Sequence, residues 1–169
     1  FSALGDQVSA AWSLCSLGRV LGLVGERAAA RQLLDESLEL FEQLGDQHGV
    51  AAASANLGEI AWLDRDLAAA RGAWERALRQ AREVGAVPLV LDALVALALI
   101  EAENGDAARA HALAALAAEH EATWNETLDA AEAVLENTAR RLGPAAAAEA
   151  ARHGRALAWE QAAAELLGG

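Results

Sequence analysis

Phe41-Glu42-Gln43-Leu44-Gly45-Asp46-Gln47 repeats, 40 residues on, the opening of the chain, Phe1-Ser2-Ala3-Leu4-Gly5-Asp6-Gln7. A third copy survives as Val84-Gly85 at the same interval. In register with these run Leu17-Gly18, Leu57-Gly58 and Leu97-Ala98, then Ala30, Ala70 and Ala110, then Leu38, Leu78 and Ala118. A fixed period of this size means stacked supersecondary units, each burying one face against its neighbours, and therefore an extended surface rather than an enclosed active site.

Composition says what those units are made of. Alanine supplies 46 of 169 residues against two Pro, and Ala is the strongest helix former because it loses no side-chain entropy on folding. No segment alternates apolar and polar residues between hairpin turns, so the chain reads as all-α with no sheet. Each 40-residue unit divides at Gly25-Glu26, Arg65-Asp66 or Gly105-Asp106. Gly suits the left-handed position after a helix and Asp suits the N-cap of the next, so each unit is a helical hairpin. The spacing predicts helices at 6–24, 26–44, 46–64, 66–84, 88–104 and 106–120, and a first helix of a fourth unit at 125–142. Gly143-Pro144 ends that helix and starts another, Gly154 breaks the chain again, and a last amphipathic segment runs from Leu157 to Leu167.

The whole is read as one domain: 1–5 the end of a repeat not present, 6–45, 46–85 and 86–124 three repeats, and 125–169 a divergent fourth repeat with a capping helix. On this register Phe1 and Leu4 close the second helix of a missing unit, and the chain is expected to be part of a longer protein. The first helix then lacks a neighbour, and self-association through this end is expected.

The thirteen basic residues are all Arg, and 25 acidic residues leave a formal charge of −12. Such a chain repels phosphate backbones, so nucleic acid is not an expected direct partner. No run of 18 apolar residues and no secretion leader is present, so no membrane partner is expected. A single cysteine, Cys15, forms no internal disulfide and fits a reducing compartment; cytoplasm is the expected location.

At Leu57-Gly58-Glu59-Ile60-Ala61, Asp66, Ala70, Trp74 and Ala77-Leu78 the pattern resembles a tetratricopeptide repeat. Gly58 and Ala70 match the small positions where the two helices of a hairpin cross, and Ala77 the one where adjacent units touch. Gly18, Ala30 and Ser37 match in the first unit, and Ala98, Ala110 and Ala117 in the third. The resemblance implies a right-handed superhelical α-solenoid, although the family's helix-terminating Pro is missing and the period is 40 rather than its usual 34. Longer repeats of this kind, and a tail like Arg141-Leu142-Gly143 through Gly154-Arg155-Ala156-Leu157-Ala158-Trp159-Glu160-Gln161-Ala162, resemble the C-terminal sensor arrays of bacterial signal-transducing NTPases of the STAND type, MalT-like and AfsR-like regulators among them. In that family the nucleotide- and DNA-binding residues lie upstream, and no position here inherits those roles. Ala158 stands where the tail usually has a Ser or Thr cap.

No Gly-x-x-x-x-Gly-Lys-[Ser/Thr], Cys-x-x-Cys or His-Glu-x-x-His occurs, so no cofactor, metal site or catalytic residue is expected. His48 is placed in a turn and His153 before Gly154, while His111 and His120 do not share a helical face. Cys15 has no basic neighbour predicted to lower its pKa and reads as a groove or core residue. The acidic clusters Glu101, Glu103 and Asp106, and Glu119, Glu121 and Glu126, read as solvated helix faces. Trp74, Trp124 and Trp159 read as packing residues.

Tetratricopeptide geometry, by contrast, directs Trp12, Cys15 and Arg19, then Asn56, Glu59 and Trp62, then Asp92, Leu99 and Glu103 toward the concave side. Two Trp on one face either anchor a ligand or pack between first helices. A mixed strip of this kind suits a peptide or protein edge, with a small molecule as the alternative. The function this implies is a non-catalytic protein- or peptide-binding sensor module of a larger signalling or transcription-regulatory NTPase. An inducer-binding domain and a passive scaffold are the other readings, and the upstream domain of the same chain is a possible partner.

Overall fold

The computed structural model describes residues 2–168. Among the described residues there are nine helices and no strand: α1 (Ser2–Leu23), α2 (Arg27–Leu44), α3 (Gln47–Leu63), α4 (Leu67–Glu83), α5 (Val87–Glu103), α6 (Ala107–Glu119), α7 (Asn125–Leu142), α8 (Pro144–Ala156) and α9 (Trp159–Leu167). From α2 to α7 the ends fall within one residue of those read from the sequence, because the turn chemistry is the one anticipated. The carboxylates of Asp46, Asp66 and Asp106 accept from the backbone N–H of Gly49, Ala69 and Arg109 at 3.0, 3.0 and 2.9 Å, satisfying first-turn donors that have no intrahelical partner. Gly45 and Gly105 take φ of 68° and 95°; at the same point of the second hairpin Arg65 does so at 62°, a conformation costly for a residue with a Cβ.

Two expectations fail locally. Gly5-Asp6 makes no turn, since α1 runs unbroken through it. The sister turn at Gly45-Asp46 is held by the Phe41 ring lying against the bare Cα of Gly49 and by Asp46 N–H on the Phe41 carbonyl. The first copy has Ser9 in place of Gly49, so the bare Cα that such a cradle needs is missing from its sequence. Phe1 lies outside the described residues. Gly154 does not break the chain either: it sits inside α8, against the Ala112 carbonyl of α6, where any Cβ would collide with backbone.

The chain falls into two compact units divided between Val84 and Gly85. In the first, α1 packs on α2, α2 on α3 and α3 on α4, with α1 also touching α3. The second helix of each hairpin is one-sided: α2 buries Ala30, Leu34, Ser37 and Phe41, and α4 buries Ala70, Trp74, Ala77, Leu78 and Ala81, the three-and-four spacing of a helix stripe. The first helices answer with small residues. A Cβ on Gly18 would stand 2.7 Å from Leu34 Cγ, and one on Gly58 would enter the Trp74 indole. That indole donates its N–H to the Ala55 carbonyl at 3.1 Å, and the buried Ser37 hydroxyl donates to the Ala11 carbonyl at 2.8 Å. Arg27 and Arg31 on Asp64, and Arg76 on Glu42, close the surface; exposed pairs of this kind contribute little.

The second unit is built round α6. Its residues Ala110 to Ala117 are all buried, and α5, α7 and α8 pack on it. A helix apolar on every side belongs in an interior, and its alanines let its neighbours approach closely. α8 lies chiefly against α6 rather than against α7, which is how the fourth unit departs from a simple hairpin.

Gly58→Ala is expected to destabilise the protein by about 1–3 kcal/mol, because the rigid indole of Trp74 has to leave its seat. Asp66→Ala is expected to cost about 1 kcal/mol through the lost cap alone. Denaturant midpoints separate the two: a Gly58→Ala variant as stable as the parent would mean that this crossing does not limit packing.

Candidate functional site

Cys15 on α1 and Asn56 on α3 meet, the amide donating to Sγ at 3.4 Å, and this contact joins the two halves of the strip predicted in the first unit. Trp12, half-buried, sets its ring edge-on to Phe41 at 4.9 Å and lies 5.9 Å from His48. Trp62, also half-buried, has Trp74 at 5.9 Å, and the Arg65 guanidinium stands 5.8 Å from the Trp62 ring. Arg19 and Glu59 are exposed. Both Trp therefore pack and present a face at once. Their rings are held by neighbours on one side, the arrangement that gives an aromatic contact little conformational entropy to lose.

Cys15 lies beneath this surface at 3% exposure. Burial pushes its thiol pKa up, against the opposing pull of hydrogen bonds from Asn56 and Ser37 and of the Arg19 charge. The thiol stays protonated and is no nucleophile. It is a core group whose partner, Asn56, fixes the α1–α3 register.

The other three predicted residues lie on α5, in the second unit. Asp92 is half-buried and accepts from the Thr127 hydroxyl at 2.9 Å, Leu99 is half-buried and Glu103 is exposed. Burial raises the Asp92 pKa; the Thr127 bond lowers it and the Glu126 charge raises it. Asp92 thus serves to tie α5 to α7. Opposite expectation, Trp124 is 48% exposed at the N-cap of α7, after a turn at 121–122 in which Thr123 N–H donates to the His120 carbonyl at 3.1 Å. His48 sits in the first turn of α3 rather than in a turn. His111 is buried and its Nδ1 lies 2.8 Å from Thr138 Oγ1, which itself donates to the Val134 carbonyl at 2.7 Å. The hydroxyl proton being used there, Nδ1 carries the proton and donates.

A groove of about 590 Å³ opens in the second unit between α6, α8 and α9. Ala112, Leu113, Ala150 and Leu157 form its floor and Arg109, Glu149, His153 and Glu165 its polar rim. A break at Gly154 would scatter these residues; one unbroken helix puts Ala146, Glu149, Ala150 and His153 on a single face, with Leu157 just past its C-terminus. Among the described residues no group of three His, Cys, Asp or Glu is placed to hold a metal ion, and no helix is long and apolar enough to cross a membrane. No protein-family model, curated protein or solved structure matches the chain significantly.

Two titratable groups of the second unit, Asp92 and His111, give stability opposite pH slopes. Asp92 binds its proton more tightly folded than unfolded, so its contribution is full below the ordinary value of 3.8 and is lost as pH rises through the folded value. Asp92→Asn keeps an acceptor for Thr127 and is expected to equal or exceed the parent in stability at neutral pH, the difference closing in acid. For His111 burial first, and the Arg155 charge second, lower the pKa, so its contribution is full above 6.5 and is lost as pH falls through the folded value. His111→Gln is expected to flatten that part of the profile, read from urea midpoints across pH.

Proposed function

We propose that the protein is a non-catalytic interaction module that takes a peptide or protein segment on the α1/α3 surface of its first unit. The observation that carries this is Trp62, a half-exposed indole held between Trp74 and the Arg65 guanidinium with exposed Glu59 one turn away. Clamped aromatic side chains flanked by charge are the usual anchors of protein interfaces, because burial of the ring then costs little ordering. Trp12, Arg19 and Asn56 extend the surface along α1 and α3. The net charge of −12 favours a basic partner, whose approach the field of the whole molecule would steer. The tetratricopeptide-like repeat supports reading the chain as part of a right-handed solenoid, and its likeness to the sensor arrays of bacterial signalling NTPases supports placing it as the ligand-reading part of such a regulator in the cytoplasm.

A second reading has its own observation. The groove between α6, α8 and α9, at about 590 Å³, lies within the range of roughly 300–1,000 Å³ typical of small-molecule sites. Under this reading the module answers a small inducer with both charged and apolar parts. Calorimetry against metabolites, set beside pull-down from lysate, separates the two.

Trp62→Ala is expected to weaken the captured partner by on the order of 2 kcal/mol while leaving helical circular dichroism unchanged. Glu59→Lys is expected to slow association and to reduce its salt sensitivity, since complementary charge acts mainly on the on-rate. A partner that binds both variants like the parent would place the site elsewhere.

A further inference from the structure

Arg109 lines the groove between α6, α8 and α9 together with two carboxylates, Glu149 and Glu165, and its guanidinium pairs with neither. Elsewhere the chain, with 25 acidic residues to 13 Arg, matches such charges readily. Arg27 and Arg31 share Asp64, Arg71 has Glu75, Arg76 has Glu42 and Arg155 has Glu119. The other arginines without a partner among the described residues, Arg79, Arg82, Arg140 and Arg152, are all exposed. Arg109 alone of this group is half-buried. The groove therefore keeps opposite charges apart along its rim.

The apolar floor of Ala112, Leu113, Ala150 and Leu157 lies between these charges. Its shape is fixed by backbone contact, because a Cβ on Gly154 would stand 2.0 Å from the Ala112 carbonyl oxygen. Helices that touch this closely do not shift to admit a ligand, so the space is preformed and little ordering is lost on binding. At about 590 Å³ the groove falls inside the range of roughly 300–1,000 Å³ typical of small-molecule sites. A single amino acid would leave much of it to water, whereas a dipeptide with branched side chains covers the floor.

We propose that this groove takes a small zwitterion of dipeptide size with apolar side chains, its carboxylate on Arg109 and its ammonium group at Glu149 and Glu165. The inference rests on the second reading above and says which ligand chemistry that site accepts. A neutral apolar ligand would cover Arg109 and leave its charge without a counter-ion, at a cost in desolvation. An apolar anion would satisfy Arg109 but meet two carboxylates, in a molecule whose net charge of −12 already repels it. An apolar amine would suit the carboxylates and leave Arg109 unmatched. Only a ligand carrying both charges answers the whole rim. A guanidinium can hold a carboxylate through two parallel N–H bonds, and the Glu165 carboxylate is steadied by the Gln161 amide, which donates to it at 3.1 Å.

Calorimetry of the full chain with leucyl-leucine, its amide, its N-acetyl form and the doubly blocked form tests this. The free dipeptide is expected to bind, and masking either end to weaken it by about tenfold, the loss of one charge-assisted contact. Arg109→Gln is expected to bind the free dipeptide and its amide alike, and Glu149→Gln to bind the free and N-acetyl forms more nearly alike. Both positions reach the surface, so circular dichroism is expected to be unchanged. Ala146→Phe, at an exposed position on the groove, fills it and is expected to abolish binding. Equal binding of free and blocked forms would overturn the zwitterion while leaving the groove as a small-molecule site. Binding indifferent to Ala146→Phe, or no binding of the free dipeptide, would overturn it too. The second reading itself falls only if calorimetry against other metabolites is also blank.

Discussion

The structure depends on helices coming closer than side chains normally allow. Phe41 lies on Gly49, the Trp74 indole on Gly58, and Gly154 on the backbone of Ala112. In the first unit the buried rings of Phe41 and Trp74 each have a glycine hole one helix away, and packing at interior density leaves neither another partner without a void or a clash. In the second unit the rule is the same with smaller parts, the alanines of α6 admitting α5, α7 and α8 together. Backbone proximity also supplies the buried polar contacts. Ser37 reaches the Ala11 carbonyl and Trp74 the Ala55 carbonyl only because the helices stand so near, and each such bond would leave a costly orphan if its register slipped.

This constraint explains what was legible in the sequence. Helix ends were, because Gly45-Asp46 and Gly105-Asp106 each pair a left-handed C-terminal residue with a side-chain cap, and the residue types allow little else. The small crossing positions were as well, since Gly58 and its large counterpart Trp74 occur together. Gly154 was misread because a glycine that ends a helix and one that admits a neighbouring helix look alike in a linear string; only its position opposite Ala112 distinguishes them. Gly5-Asp6 was misread for the complementary reason. Its dipeptide is that of a turn, but the turn at Gly45 is also a tertiary contact with Gly49, and Ser9 removes that contact.

The candidate surface was legible only in part. The resemblance to tetratricopeptide geometry puts Cys15 and Asn56 on one surface, and they touch. The resemblance did not say that Cys15 would be sealed beneath its neighbours or that Asp92 would spend its carboxylate on Thr127. A repeat dictates positions, whereas exposure depends on the particular side chains of the next helix. The groove of the second unit was invisible for that reason too, being formed by α8 and α9, where the period has lapsed.

The two Trp of the first unit show why interior and surface roles need not compete. An indole wholly in water is mobile and self-associating; one wholly in the core contacts no ligand. Trp12 against Phe41, and Trp62 between Trp74 and Arg65, avoid both extremes, because the same ridge-and-hole packing that stabilises the hairpins immobilises the rings from behind. The ordering entropy that a binding contact ordinarily costs is met during folding, when the ring edge enters the core. The Arg65 backbone, held left-handed at φ 62°, fits the same logic. A glycine would satisfy the turn with less strain, as at Gly105, but would place no guanidinium over Trp62. The strain at this one turn is consistent with a side chain retained for the surface it forms rather than for the stability of the fold.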